Sequence, residues 1–253
     1  VWDPDATGRI LAQHLVHAAD RGVRVRILID DIYTKGRDAI LSALDAHPNM
    51  EIRLFNPFAH RSRRMLDFIV DFSRVNHRMH NKLFVMDNSV VIVGGRNIGD
   101  EYFGAKEEFN FRDLDLAAVG PVVADVASNF DRFWNSAQAY PIGAFQEVQA
   151  GPAELDQARE RLRSDVRQFA ESDYVRAARK VDFIQQVKTG TLTMYWGKAE
   201  LESDLPEKGD PAMAESTAVR MTPRLRPLVE ASQRQLVLIS PYFVPGPGFT
   251  ELL

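Results

Sequence analysis

Residues 78–97, RMHNKLFVMDNSVVIVGGRN, contain two apolar runs bordered by polar residues and glycines. The first run predicts a strand, in which successive side chains point to opposite faces. On such a strand His80 and Lys82 share one face, while Asn81 and Leu83 take the other. An imidazole beside an ammonium is unsuited to a packed core, so this pair indicates a site for an anionic group.

The two glycines and the asparagine at the end of the stretch fit the same site. Gly94 and Gly95 end the second strand and let the backbone approach closely, and Asn97 lies just beyond them. A phosphate suits these groups, because Lys82 and the Asn97 amide can hold its nonbridging oxygens while a neutral His80 attacks phosphorus. The cation and the amide stabilise the transition state, so the pattern implies no metal or other cofactor.

Two carboxylates further along the chain are candidates to orient the histidine. A catalytic imidazole needs an acceptor on its second nitrogen to fix its tautomer, and Asp113 and Asp115 begin the strand predicted over 113–120. The residues alone leave the choice between them open. A third carboxylate, Asp87, lies at an odd offset from the lysine, so strand alternation gives it a supporting, structural role before a turn at 88–89.

Helices and strands alternate over the first part of the chain. This alternation predicts an α/β fold with a mixed, largely parallel sheet flanked by helices on both faces. The first helix is expected to begin at Thr7 as its N-cap. Helices are predicted over 6–20, 37–48 and 63–75 and from Pro121 onward, and strands over 24–31, 51–57, 81–87, 90–95 and 113–120.

The pattern changes after this first unit and then starts again. Residues 1–139 form the unit that carries the histidine and lysine, and residues 140–222 predict a connecting region of helices and loops. From 223 to 253 the order of helix, strand, proline-bearing loop and helix start is repeated. We expect residues 223–253 to begin a second, similar half that is truncated at Leu253.

The composition limits the class of protein. Hydrophobic residues make up 45% and charged residues 26%, which is typical of a soluble globular protein. The chain contains no cysteine, which excludes disulfides and thiolate sites within it. No apolar run is long enough to span a bilayer. The net charge of −4 argues against a nucleic-acid partner, because nucleic-acid binders usually have a broad basic surface.

Cations are concentrated just before the quoted stretch. We expect residues 56–78 to make peripheral contact with an anionic membrane surface. The alternative is an ordinary amphipathic helix whose buried face contains Leu66, Ile69 and Val70. The cations of this basic stretch are Arg53, Arg61, Arg63, Arg64, Arg74, Arg78 and Lys82, against Asp67 and Asp71.

The spacing of these residues resembles a known motif. HNKLFVMD together with GGRN resembles the HKD motif of the phospholipase D superfamily. The stretches MHNKLFVMDNSVVIVGGRNIGDEYFG, FRDLDLAAVGPVV and SPYFVPGPGF resemble the bacterial cardiolipin synthases, particularly their C-type branch. The resemblance covers most of residues 1–140 and 222–253. It implies a phosphatidyltransferase of phospholipid metabolism, associated with the bacterial inner membrane at its periphery or located in the cytoplasm.

The resemblance also implies a role for each candidate residue. His80 corresponds to the covalent nucleophile or its acid/base partner, and Lys82 and Asn97 to the groups that hold the phosphoryl group. Asp113 corresponds best to the acid that orients the histidine, with Asp115 as second choice. The implied substrate is an anionic phospholipid, which reacts through a phosphohistidine intermediate.

Enzymes of this superfamily bring two HKD motifs together, and no second H-x-K occurs in these 253 residues. We therefore expect the second motif beyond Leu253 in the same chain, or in a second subunit. The same site chemistry also suits a phospholipase D hydrolase, in which water resolves the intermediate, or a nuclease. A further alternative is a fragment that binds anionic headgroups and is inactive without its second half.

Overall fold

The computed structural model describes residues 2–61, 63–106, 108–145, 150–209, 213, 216, 220–237 and 250. The strands are β1 (Val25–Asp30), β2 (Met50–Phe55), β3 (Leu83–Met86), β4 (Val90–Gly94), β5 (Asp115–Val119) and β6 (Ala139–Pro141). The helices are α1 (Ala6–Asp20), α2 (Asp38–Asp45), α3 (Arg64–Val70), α4 (Phe72–Val75), α5 (Val122–Trp134), α6 (Pro152–Phe169), α7 (Asp173–Arg179), α8 (Phe183–Thr189) and α9 (Thr222–Glu230).

The first sheet has the order β1-β2-β6 and carries the main core. β1 and β2 are parallel, and β6 is antiparallel to β2. Alternate side chains of β2, among them Ile52 and Leu54, are fully buried against apolar residues of α1, α2 and α6. Because β1 and β2 run in the same direction, their last residues, Asp30 and Phe55, are register partners at one edge of the sheet.

The second sheet is an antiparallel meander in the order β3-β4-β5. Its first hairpin closes through Asp87 and Asn88, whose φ angles are 50° and 49°. The Ser89 amide donates to the Met86 carbonyl at 2.9 Å. Two adjacent residues with positive φ form the type I′ turn that matches the twist of a hairpin, so the turn lies one residue earlier than the sequence predicted.

Helix α5 packs against both sheets. Near its start, Val123 and Val126 are buried under the second sheet. Near its end, the Phe133 ring lies 5.7 Å from the Phe55 ring of the first sheet. The Arg53 guanidinium donates to the Trp134 carbonyl at 2.8 Å and stands 4.4 Å from the Trp134 ring. The two sheets are therefore held in a fixed relation by one helix.

The α/β fold class is confirmed, and the sheets are mixed, although parallel pairing is less common than predicted. Among the described strands one neighbouring pair is parallel and three pairs are antiparallel. The short turn between β3 and β4 makes that pair antiparallel, whereas the other two antiparallel pairs join strands that are distant in sequence. Helices cover both faces of the first sheet. On the second sheet, Phe84 and Ile92 lie on the face opposite α5 and are exposed.

Two local expectations are corrected. The side chain that caps α1 belongs to Asp5, which accepts from the Gly8 amide at 3.1 Å, and not to Thr7. The helix predicted over 63–75 divides into α3 and α4 at Asp71, whose non-helical backbone (φ −141°, ψ 46°) interrupts it. The first difference is local, since Asp5 lies three residues before the amide that it caps.

The later part of the chain is described only in part. Residues 140–222 contain α6, α7 and α8, as expected of a helical connecting region, and α9 begins where the repeated pattern was predicted to start. The strand predicted over 236–243 and the helix start at 244–253 lie almost entirely outside the described residues. The division at 139 and 222 remains a prediction.

The type I′ turn predicts how substitutions at Asp87 behave. Asp87→Ala should lower the free energy of unfolding by about 1–2 kcal/mol, because alanine tolerates positive φ poorly. Asp87→Asn should be neutral, since asparagine is favoured in this turn. Denaturant unfolding of the two variants beside the wild type measures the difference, and equal stability of all three proteins would contradict this account of the turn.

Candidate active site

His80 and Lys82 lie in an irregular segment between α4 and β3. Because β3 begins only at Leu83, strand alternation does not order these two side chains as the sequence suggested. They are linked directly instead: the Lys82 Nζ donates to the His80 carbonyl at 2.8 Å. His80 is exposed and Lys82 is half-buried. The segment therefore presents an accessible imidazole beside a partly desolvated ammonium.

A buried carboxylate at the end of β1 holds this segment. Asp30 accepts from the Met79 amide at 2.8 Å and from the Arg78 Nη1 at 3.2 Å, and its Oδ1 also accepts from the Ile32 amide at 2.9 Å. Burial raises the pKa of Asp30, and Arg78 and the two amides oppose that shift. Since Met79 is adjacent to His80, Asp30 fixes the backbone on which the imidazole is carried.

Arg78 also holds the segment that carries His80, through contacts inside the protein. Its side chain is only 8% exposed. Besides Asp30 it donates to the Val75 carbonyl at 2.7 Å and to the Asn56 carbonyl at 3.0 Å, and its guanidinium stands 4.7 Å from the Phe58 ring. Arg78 is therefore held mainly by groups of the protein itself, and it also lines the cleft beside His80.

Asn56 binds the same segment from the end of β2. It has a φ of 47°, and its Nδ2 donates to the Arg74 carbonyl at 2.8 Å and to the His77 carbonyl at 2.7 Å. Sequence reasoning missed both Asn56 and Asp30. The available signal was their position, since each is a polar residue at the carboxyl end of a parallel strand, where sites of α/β proteins are commonly built.

The basic stretch is largely neutralised, which corrects its interpretation as an open cationic surface. Arg61 bonds Asp31 and Asp38, and Arg64 is buried against Asp31 at 3.2 Å. Further ion pairs within this group are Arg53–Glu51, Arg74–Asp71 and Arg78–Asp30. These cations hold the fold together.

Asp113 and Asp115 differ in their surroundings, and only Asp115 lies within β5, at its start. Asp115 accepts from the Arg96 Nε at 2.6 Å and is committed to that ion pair. Asp113 acts electrostatically on Lys82: burial lowers the pKa of Lys82, and the Asp113 and Asp30 carboxylates oppose that shift. Of the two acids, Asp113 is thus the one whose charge acts on Lys82.

Gly94 and Gly95 make room for these two carboxylates. A Cβ at Gly94 would overlap the Asp115 carboxylate and would lie 2.9 Å from the Asp115 Cα, and a Cβ at Gly95 would overlap the Asp113 carboxylate. The sequence predicted that another group would come close to the backbone at these two glycines. In the structure the groups that do so are the Asp113 and Asp115 side chains.

The two remaining candidates lie at opposite ends of the hairpin. Asn97 is partly exposed in the irregular segment that leaves the end of β4, just before the bridge between Ile98 and Trp2. Asp87 is exposed in the turn at the far end of β3, away from His80. The structural role expected for Asp87 agrees with this position.

The connecting region reaches the candidate site. Ser203 bonds Asn129 of α5 at 2.6 Å, Leu201 packs against the core under the second sheet, and Pro206 is fully buried. Sequence reasoning gave this region no place at the site, and its only signal was an apolar Leu-Pro pair inside a charged loop. The cleft beside His80 is lined by Phe55, Arg78, Met79, Asn81, Phe133, Asp204, Leu205 and Pro206.

The comparisons identify the family. The family model described as "Cardiolipin synthase, PLD-like domain" matches residues 4–134, which is more than half of the chain. The chain therefore belongs to the cardiolipin synthase family of phospholipase D-like domains, and the resemblance seen in its HKD motif is confirmed.

Individual relatives agree with this assignment. The chain is 45% identical over 257 residues to "Cardiolipin synthase C" of Escherichia coli (strain K12), covering 100% of this chain and 53% of that protein. It is 31% identical to an uncharacterized protein of Helicobacter pylori (strain J99), covering 97% of this chain and 48% of that protein. It is 33% identical over 153 residues to "Cardiolipin synthase" of Oceanobacillus iheyensis, covering 58% of this chain and 30% of that protein.

The extent of these matches is informative in itself. The chain spans about half the length of the first two of these curated relatives. No solved structure matches it significantly. In the part of the chain that the structure describes, no helix combines the length and the apolarity that crossing a bilayer requires.

The Asp30–Arg78 pair predicts a strong coupling. Asp30→Asn should cost about 3–5 kcal/mol of unfolding free energy, because it leaves the Arg78 charge buried without its counter-charge. The double variant Asp30→Asn/Arg78→Met should cost less than the sum of the two single substitutions. Denaturant unfolding of the wild type, Asp30→Asn, Arg78→Met and the double variant gives the coupling energy. If the losses of the two single variants add up to the loss of the double variant, the two side chains are not coupled.

The paired glycines predict two different failures. Gly95→Ala should displace the mobile Asp113 carboxylate with little loss of stability, and the pKa of Lys82 should then fall further because an opposing anion is lost. Gly94→Ala also presses on the Asp115 backbone, so it should destabilise by about 1–3 kcal/mol. An NMR titration of Lys82 and thermal melts measure both effects. Asp113→Asn is the control for the titration. If the pKa of Lys82 is unchanged in both Gly95→Ala and Asp113→Asn, the Asp113 carboxylate does not act on Lys82.

Proposed function

We propose that this chain forms one half of the active site of a phosphatidyltransferase of the cardiolipin synthase type, in which His80 is the covalent nucleophile. The observation that carries the proposal is the grouping of an exposed imidazole, a half-buried ammonium and the Asp113 carboxylate at one end of the second sheet. The 45% identity to a protein named "Cardiolipin synthase C" supports the same class of substrate, an anionic phospholipid.

The reaction begins at the His80 imidazole. Its neutral nitrogen attacks the phosphorus of a phospholipid, a phosphorus–nitrogen bond forms, and the bond to the leaving glycerol oxygen breaks. The leaving oxygen takes a proton from a general acid. In the second step a hydroxyl group of an acceptor lipid attacks the phosphatidyl-histidine and gives its proton to the same group, which now acts as a base; a phosphorus–oxygen bond forms, the phosphorus–nitrogen bond breaks and the imidazole is restored. Water in place of that hydroxyl would make the protein a phospholipase D.

Lys82 and Asn97 stabilise the charge on the phosphoryl group. The Lys82 ammonium is held beside His80 by its bond to the His80 carbonyl, and its partial burial strengthens its interaction with the nonbridging oxygens. Asn97, at the end of the neighbouring strand, donates its amide to the same oxygens. No step requires a metal ion.

Asp113 orients the imidazole. A carboxylate that accepts a hydrogen bond from the second ring nitrogen fixes the tautomer and stabilises the positive charge that develops on the ring. Asp115 is held by Arg96 and is a poor candidate for this role, whereas Asp113 lies against Gly95, which has no side chain to exclude it. The choice between the two acids thus favours Asp113.

The second half of the site comes from outside these residues. Protonation of the leaving oxygen needs an acid, and the chain has one H-x-K sequence. A second HKD motif, in the remainder of the protein or in a second subunit, supplies it. The chain alone is then inactive, although it retains a pocket for anionic headgroups. The protein works at the membrane surface, where its substrates reside.

The assignment of roles is tested in the full-length protein with radiolabelled phosphatidylglycerol in mixed micelles. His80→Ala should abolish transfer, and after an acid quench no radiolabelled phosphatidyl group should remain covalently bound to the protein. Lys82→Ala should reduce turnover by about 10²–10³ and also raise KM, since it removes charge stabilisation from the bound and transition states.

Asp87→Asn is the matched control, because it changes a carboxylate of the same motif at the far end of the hairpin. Its turnover should stay within about tenfold of wild type, as expected for a residue that does not contact the reacting atoms. Chromatography of the products separates cardiolipin from phosphatidic acid, and thus transfer from hydrolysis. Transfer by His80→Ala at the wild-type rate would be incompatible with a histidine nucleophile at this position.

A further inference from the structure

One helix beside the candidate site carries its apolar side chains on the solvent side. On α3, Met65 is 71% exposed and Ile69 and Val70 are each 76% exposed, whereas Arg64 and Asp67 are buried. Although Phe68 lies inward, 5.5 Å from the Phe58 ring, the three exposed residues are the reverse of an ordinary amphipathic helix, in which the apolar side faces the core. The outward side chains of this helix and of the start of α4 form a surface, the α3–α4 face, which consists of Met65, Leu66, Ile69, Val70 and Phe72.

Buried charges hold the helix in this orientation. Arg64 donates to the Asp31 carbonyl at 2.7 Å and to its carboxylate at 3.2 Å. Asp67 accepts from the His60 amide at 3.0 Å, and its second oxygen lies 2.5 Å from the His60 Nδ1. Turning the helix over would pull both charges from their partners, which is costly. The expectation that the apolar residues of this helix form its buried face is therefore wrong.

The α3–α4 face is connected to the candidate site through the segment that follows α4. Helix α4 ends at Val75, whose carbonyl accepts from the Arg78 side chain at 2.7 Å. Arg78 and Met79 then line the cleft beside His80. The α3–α4 face is thus tied to the segment that carries His80 by a short, well-bonded connection.

The neighbourhood of the face has the chemistry of a bilayer interface. Tyr33 is 56% exposed in the turn to which the Arg64 guanidinium is bonded, and Lys35, two residues after Tyr33, and Arg63, just before α3, are exposed cations. Tyrosine and basic side chains are the groups that border apolar segments at membrane surfaces, where they meet headgroups and anionic lipid charge.

We infer that the α3–α4 face docks on an anionic phospholipid bilayer and enters its interfacial region. This inference rests on the proposed function, because a diacyl substrate stays in the bilayer and its phosphodiester has to reach His80 at the surface. Most cations of the basic stretch are paired within the fold, so binding comes mainly from apolar insertion. It should therefore change little with salt, unlike a contact made by exposed charges.

The test uses the full-length protein and sedimentation with vesicles of phosphatidylcholine and phosphatidylglycerol. Ile69→Ser/Val70→Ser should weaken vesicle binding about tenfold or more, since two apolar side chains lose their transfer into the interface. The matched control is Ile184→Ser/Val187→Ser on α8, which replaces the same residue types at exposed positions, 58% and 52%, outside the face. The control should bind as the wild type does, and both variants should melt normally.

Three results would overturn the inference. Equal loss of binding in both double variants would assign it to general surface hydrophobicity, and unchanged binding in both would place the docking surface elsewhere. Amide hydrogen exchange of residues 64–72 tests whether the rest of the protein, and not a bilayer, covers the face. Protection that appears only with vesicles supports the bilayer, whereas full protection without vesicles means that the rest of the protein covers the face. Vesicle binding is measured without turnover, and His80→Ala should bind vesicles as the wild type does. A failure of the proposed chemistry would therefore leave the binding result unchanged.

Discussion

The candidate site depends on one buried interaction, the contact of the Asp30 carboxylate with Arg78 and with the Met79 amide. The carboxylate ends a strand of the main sheet, and the groups it binds immediately precede the exposed histidine. Burial of the acid is unfavourable by itself, and the arginine and the backbone amides offset that cost. The rigid sheet thereby sets the position of a segment that has no regular secondary structure of its own.

Much of the fold could be predicted because its signals are local. Apolar periodicity located the strands around Ile27, Ile52 and Val91, and the hairpin was evident from its two apolar runs. The exact turn residues were missed by one position, since either pair, Asp87-Asn88 or Asn88-Ser89, suits a turn. The motif itself located the histidine and the lysine, but not the way in which they are held.

What the sequence could not provide is the set of partners from distant parts of the chain. The basic stretch was interpreted by counting nearby charges, yet Arg61 and Arg64 are paired with Asp31, about thirty positions earlier. Periodicity also assumes that apolar side chains turn inward. On α3 that assumption fails for Met65, Ile69 and Val70, because the bonds of Arg64 and Asp67 determine which side of the helix is buried. Charge counted along a chain is therefore not a measure of surface charge.

The packing of Pro206 beside the histidine cleft has a consequence for the order in which the protein folds. One wall of the cleft comes from a segment synthesised long after the sheets and helix α5, and its docking closes a long loop. Contacts between residues so far apart form slowly compared with local hairpins and helices. During translation the sheets can assemble first, and the cleft acquires its last wall only when the connecting region has left the ribosome.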